Sequence, residues 1–422
     1  MLHKKYVVTS TITVILFFHT LCLCTVDQTK NQSEFLYKPI SVKLPEKFKN
    51  TVDVSLLIAD LKYDGNSLKV LELGNVTSSI LSSHESVYGT GIIWERIYNY
   101  VKGLGPQLWC IGQPLNPKSG TFICFENFVK RGARNVNNLE QLADDPVFVD
   151  LCHADNSSKK FSKISDYKGI LAPKSYSSQK EDIAHLKKEF PDFLLLNEVA
   201  HVYGTNKYKT AILFHDEELS QFKPKWKAYP KIYSKYIVNK IEDDFTSNIL
   251  VIKPINAALG KGVLIIEKKD LDKTLETIFT KQSEIENIKD SSYNYWAKDG
   301  NSVFLVESFE PAKPVTLHGK EYDAKTRVIF ALSCDQGNAT LTFFGAYHKA
   351  AFKSLDENCS LTEKHKSKIC EKTRAAKVSH EDSKKIQEIL GFVFPKMYIK
   401  MMEVNENMDF YLTLFKKINR HI

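Results

Sequence analysis

The chain has 422 residues, 43% hydrophobic and 26% charged, proportions that exclude a disordered or collagen-like chain and leave room for two or three domains. Its 58 basic and 50 acidic residues give a formal net charge of +8. That charge is spread along the chain rather than gathered in an arm or tail, which favours small anionic partners and argues against nucleic acid.

His3, Lys4 and Lys5 precede an apolar run centred on Ile12 to Phe18, with Cys22 and Cys24 after it. This is the layout of a secretory signal over residues 1–24; the alternative is an uncleaved anchor that meets a membrane through that segment alone. The expected location is secreted or extracytoplasmic, including action inside a host cell after export as an effector. Two of the eight cysteines fall in this segment, leaving six, an even number compatible with disulfides, and the neighbours Cys110/Cys124 and Cys359/Cys370 are the first candidates.

Residues 25–52 are polar and lysine-rich, without an apolar period, and read as a leader. VSLLIADLKYDG and SLKVLELG follow as two strands of a hairpin turned at Asp64-Gly65. IIWERIYNYVKGL has helical spacing and stops at Gly103. QLWCIG, PVFVDLC, KGILAPK, DFLLLNEVA and KTAILFH are apolar runs of strand length, separated by helical stretches such as SQKEDIAHLKKEF. This alternation predicts an α/β domain with a largely parallel sheet over residues 53–222, closed by the lysine- and proline-rich boundary FKPKWKAYPK.

The second domain, residues 223–422, begins with the helix KIYSKYIVNKIEDDF and the strand ILVIKPI. A glycine loop, the strand GVLIIEK, a long helical stretch and the strand SVFLVESFEP come next. GKEYDAKTRVIFALSC and ATLTFFGAYHK read as a further strand pair, and the chain ends in helices.

Gly260-Lys261-Gly262 joins two apolar runs, so it turns an antiparallel pair, and its glycines let backbone N–H groups approach an anion closely. It is not a Walker A loop, because Gly262 stands where a Ser or Thr belongs. An ordinary tight turn would look the same. Lys253 adds to the case: it lies inside an apolar strand, where an ammonium group is costly unless it meets an anion. Glu307 and Glu310 then close another apolar strand.

VIKP, AALGKGV, FLVESFEP and DAKTRVIFAL together resemble the ATP-grasp superfamily over about residues 224–370. The resemblance implies a fold of α/β plus α+β type: a Rossmann-like pre-ATP-grasp domain, then an ATP-grasp module of two α+β subdomains. It implies that Lys235 and Lys253 bind nucleotide phosphates, that Gly260, Lys261 and Gly262 close over them, and that Glu307 sits at a hinge whose backbone reads the adenine edge while Glu310 takes the ribose. Arg327 would stabilise charge on the transferring phosphoryl group, and Lys349 would help to hold an acyl phosphate or an anionic substrate. The implied partners are ATP, Mg2+ and an anionic small molecule or peptide. The implied activity is an ATP-dependent ligase working through an acyl phosphate, with a kinase or a catalytically inactive binding protein on the same fold as alternatives.

The magnesium ligands of such enzymes correspond, as a string, to Glu403-Val404-Asn405. Here the string follows Ile386, Ile389, Leu390, Val393, Met397 and Met401 at helical spacing, so a helix is predicted there instead of the acidic strand that the resemblance requires. Asp64, Glu72, His84 and Glu85 form one further polar cluster, readable as substrate-facing or as a solvated hairpin surface.

Overall fold

The computed structural model describes residues 38–76, 78–111, 128–153, 161–173, 180–204, 206–258, 260–288, 290–367 and 374–407. The signal-like segment, Cys124 and Cys370 lie outside these residues. The fold is mixed α/β with three main sheets.

The first sheet is antiparallel. Its strands β1 (Ile40–Lys43), β2 (Asp53–Tyr63) and β3 (Leu68–Asn75) come from the start of the chain. Three more, β14 (Ala324–Asp335), β15 (Asn338–Ala350) and β16 (Ala375–Lys377), come from its last hundred residues. Their order is β1-β15-β14-β2-β3, with β16 paired to β15. The expected hairpin β2–β3 is therefore present, but it completes a sheet with strands from beyond residue 320, so the boundary near 222 does not separate the sheets. β1 also corrects the reading of 25–52 as leader only: Ile40 to Lys43 pair with Leu341 to Asn338.

All eleven residues of β2 are buried, because both faces of this sheet are covered. Leu57, Ala59 and Leu61 pack with Val328, Phe330 and Leu332 beneath the long helix His380–Glu406. Val54, Leu56 and Ile58 pack with Ile329, Ala331 and Phe344 beneath the helix Ile92–Gly103. A sheet buried on both sides needs apolar residues at both parities, which is why β2 reads as a continuous run.

The second sheet is parallel, as expected, in the order β5 (Arg134–Val136), β4 (Gln107–Ile111), β6 (Gly169–Pro173), β7 (Phe193–Leu195). Two expected strands are helices. Pro146–Cys152 starts at Asp145, whose carboxylate accepts from Val147 and Phe148 N–H, with Pro146 at the first helical position. Lys207–Ile212 is capped by the Asn206 side chain. In both, the cap overrides the apolar run. Cys110 and Cys152 are buried, and burial pushes each thiol up to about 12.

The third sheet is antiparallel, in the order β10 (Leu264–Glu267), β9 (Ile249–Pro254), β11 (Val303–Ser308), β8 (Trp226–Pro230). β8 occupies the stretch read as a domain boundary; its residues pair with Val303 to Glu307. The remaining strands, β12 (Val315–Leu317) and β13 (Lys320–Tyr322), form a small ribbon. Leu250, Ile252, Leu264, Ile266, Phe304 and Val306 of the third sheet pack against the helices Lys235–Asp244 and Leu271–Thr280. By alternation, Val251, Lys253, Ile265 and Glu307 face the other way. No helix among the described residues is long and apolar enough to cross a membrane.

Candidate functional site

One end of the first sheet and the outward face of the third enclose a cleft of about 740 Å³, part of it open solvent. On the first sheet, the face that carries Ile58 and Ile329 becomes charged at Asp60, Lys62, Lys325 and Arg327, and all four line the cleft. Glu72 and Lys349 join them from β3 and β15. The third sheet contributes Val251, Lys253, Ile265 and Glu307, while Gly260 and the segment His365 to Ser367 form the rim.

The cationic side chains of this cleft fall into two groups. The first group is paired. Arg327 donates to both oxygens of Asp60, at 2.5 and 2.8 Å, across adjacent strands. Burial pushes the Asp60 carboxyl up, but Arg327 and Lys349 outweigh it and hold the group well below the usual carboxylate range. Lys253 donates to Glu307, which also accepts from Lys223 at 2.9 Å. Burial raises the Glu307 pKa, and the two ammonium groups more than offset this, holding it at about 2. Lys62 donates to both oxygens of Asp323, at 2.5 and 2.6 Å.

The second group makes no salt bridge among the described residues. Lys325 and Lys349 have no hydrogen bond or salt bridge among the described residues, yet they stand directly opposite each other across β14 and β15. Like charges in that register repel. Burial, reinforced by Arg327 and Lys325, pulls the Lys349 pKa down to about 8. Among the described residues Lys207 donates to the Ala257 carbonyl alone, and burial lowers its pKa as well, while Lys366 on the rim donates to Ser292 Oγ at 2.5 Å. Lys207, Lys325 and Lys349 therefore meet in the cleft without a salt bridge among the described residues, although the carboxylates of Asp60 and Glu72 lie near enough to act on them.

The glycine loop has the conformation its sequence predicts. Gly260 and Gly262 sit at φ +68° and +70°, where other residues are strained. A Cβ at Gly262 would fall 2.6 Å from Pro254 Cγ. Gly260 lines the cleft, but Lys261 is exposed and neither it nor Gly262 lines it.

Lys253, Gly260, Glu307, Glu310, Arg327 and Lys349 are thus brought together as expected, with one change of role. The Glu307 carboxylate is buried between Lys223 and Lys253, so at the hinge position it serves as a counterion. Three other expected residues lie elsewhere. Lys235 is exposed on its own helix and pairs with Asp272 at 2.5 Å. Glu403 and Asn405 lie in the helix His380–Glu406, away from the cleft. Glu403 pairs with Lys47 and Lys400, while Asn405 accepts from Tyr203 Oη and donates to the Val199 carbonyl. These two residues do not fit a magnesium site, and no other group of three potential metal ligands occurs among the described residues.

Of the second polar cluster, only Glu72 reaches the cleft. Asp64 caps its own hairpin turn, Glu85 accepts from Gly91 N–H, and His84 is buried against Tyr88. The residues missed in sequence are Asp60, Lys62, Lys207, Lys325 and Asp323. Asp60 and Lys62 carried the same signal as Lys253: charged residues inside a continuous apolar strand.

Solved structures similar to this chain include one from Methylobacillus flagellatus provisionally described as a gamma-glutamylcysteine synthetase, with 9% identity, 86% of this chain and 92% of that chain covered, and a TM-score of 0.37. Others are a D-alanyl-alanine synthetase A from Vibrio cholerae, with 10% identity, coverage of 70% and 81%, and a TM-score of 0.29, and an ATP-grasp RimK domain protein from Sphaerobacter thermophilus, with 12% identity, coverage of 56% and 90%, and a TM-score of 0.25. No protein-family model and no curated protein matches the chain. The likeness is loose, and the functional reading rests on the cleft itself.

Proposed function

We propose that the cleft binds the polyphosphate of ATP, and that the protein is an ATP-dependent ligase of the ATP-grasp kind that joins a carboxylate to an amine. The observation that carries this reading is the meeting of Lys207, Lys325 and Lys349, none of which makes a salt bridge among the described residues. Three ammonium groups held together at a cost in stability call for an anion of several charges, and a triphosphate supplies them.

ATP supplies the phosphoryl group that makes a carboxylate reactive. The protein's part is positional and electrostatic. The opposed pair Lys325 and Lys349 holds adjacent phosphate oxygens, and Lys207 neutralises charge from the helix on the far side. The ion pairs Arg327–Asp60 and Lys253–Glu307 fix the walls, so that the unpaired lysines need not reorganise as charge shifts. Backbone N–H groups near Gly260 approach the anion from the rim. The substrate carboxylate and amine belong to small molecules or a peptide.

A second reading keeps the ATP site without turnover. The placement of Glu403 and Asn405 in a helix, engaged with other partners, favours it. Calorimetric titration with ATP, alongside measurement of ADP release, separates the two. Lys325→Met should weaken ATP binding by roughly 10- to 100-fold, the value of a lost charged contact. Lys235→Met, outside the cleft, should leave it unchanged. Equal effects at the two positions, or no binding by the folded wild-type protein, would overturn the proposal.

A further inference from the structure

His365 is the last residue of the short helix Leu361–His365, which bridges the two walls of the cleft. Thr362 Oγ1 accepts from Ile265 N–H at 2.8 Å and donates to the Ile265 carbonyl at 3.1 Å, tying the helix to the third sheet. On the opposite side, His365 Nδ1 lies 2.8 Å from Asp323 Oδ2, next to the first strand of the β14–β15 pair. Both Asp323 oxygens already accept from Lys62. The carboxylate therefore acts as an acceptor only, and the hydrogen shared with the imidazole sits on Nδ1. In the neutral imidazole Nε2 then carries the lone pair, and it has no partner among the described residues. The Phe309 ring packs edge-on at 4.5 Å and holds the imidazole plane, and the side chain opens to the cleft with 14% exposure.

A histidine oriented by a carboxylate through one nitrogen, with the other free and facing a substrate cleft, has the geometry of a general base. We propose that His365 accepts the proton of the attacking amine. This rests on the ligase reading above. The amine nitrogen attacks the acyl carbon of the acyl phosphate, the new C–N bond forms, and the C–O bond to phosphate breaks with its electron pair leaving on phosphate. The proton lost by the amine goes to His365 Nε2. Asp323 acts as a positioning residue, itself held by the two hydrogen bonds from Lys62.

The test follows ADP release from ATP with a mixture of the common amino acids as carboxylates and amines. Parallel samples contain hydroxylamine, which captures acyl phosphates without a base. For His365→Ala and His365→Gln, the ratio of amine-dependent to hydroxylamine-dependent ADP release should fall by roughly 100-fold or more. Free imidazole should restore amine-dependent release to His365→Ala, which a merely structural loss would not permit. An unchanged ratio, or a loss that imidazole does not restore, overturns the assignment of His365 and leaves the ligase reading standing. Absence of ADP release by wild-type protein that binds ATP overturns both.

Discussion

Lys349→Met tests the central claim that the cleft carries charge at the expense of stability. The substitution keeps the length of the side chain and removes its ammonium group. In the folded protein, burial and the neighbouring cations lower the Lys349 pKa from the ordinary 10.5 to about 8. At about 1.4 kcal/mol per pH unit, holding the charge in place at neutral pH costs the folded state on the order of 3 kcal/mol. The sign follows from proton binding. Between pH 8 and 10.5 the unfolded chain holds more protons at this site, so wild-type stability rises through that window. Lys349→Met should accordingly be more stable than wild type at pH 7, by up to about 3 kcal/mol, and the gain should vanish as pH approaches 10.5. Urea denaturation at pH 7 and pH 10, compared at their midpoints, reads both effects, and ATP titration of the same variant should show weakened binding. A variant less stable than wild type at pH 7, or a gain independent of pH, would refute the reasoning.

Other substitutions have the opposite sign. Glu307→Gln leaves Lys223 and Lys253 buried without a counterion and should destabilise by about 3–5 kcal/mol at neutral pH; the wild-type contribution should persist until the pH falls towards 2, since the folded carboxyl titrates at about that value. Gly262→Ala should cost about 1–3 kcal/mol by thermal denaturation, because a Cβ there meets Pro254 at 2.6 Å on a backbone at φ +70°. Glu403→Gln, outside the cleft and on an exposed ion pair, should change stability by less than about 1 kcal/mol and leave ATP binding intact; a large loss of binding would restore the metal role to that residue.

Much of this was legible in the sequence, for local reasons. The β2–β3 hairpin, the parallel strands β4, β6 and β7, the β9–β10 turn and the β14–β15 pair each announce themselves through a turn residue and an apolar run. The helical setting of Glu403 followed from apolar periodicity alone. The failures are equally physical. Pro146–Cys152 and Lys207–Ile212 have apolar runs of strand length, and only their caps, Asp145 with Pro146 and Asn206, distinguish them. β1 could not be read, because its stability comes from pairing with a strand some three hundred residues later. The same applies to the partner of Arg327. Asp60 lies 267 residues away, and no local pattern connects the two. Sequence marks charged residues in apolar strands as exceptional; only the assembled sheet shows which are paired and which are left for a ligand.

The pairing also determines how the cleft can open. Lys223 donates to the Leu71 carbonyl of the first sheet at 2.7 Å and to Glu307 of the third, so one buried ammonium joins the two walls. On the opposite side, Lys62, Asp323, His365 and Thr362 form a second chain that ends on Ile265 of the third sheet. Moving the sheets apart would break hydrogen bonds to charged groups on both sides, each worth about 1.5–3 kcal/mol. At the glycine-loop rim, Gly260 lies against the methylenes of Lys366, and Lys207 ties the start of the loop through the Ala257 carbonyl. Movement of that loop alone disturbs no buried ion pair. On the proposed reading, ATP is expected to enter past Gly260 over the lysine-lined floor. A glycine-to-alanine change at 260 should accordingly slow ATP association more than it alters the equilibrium constant, whereas loss of Lys349 should act chiefly on dissociation.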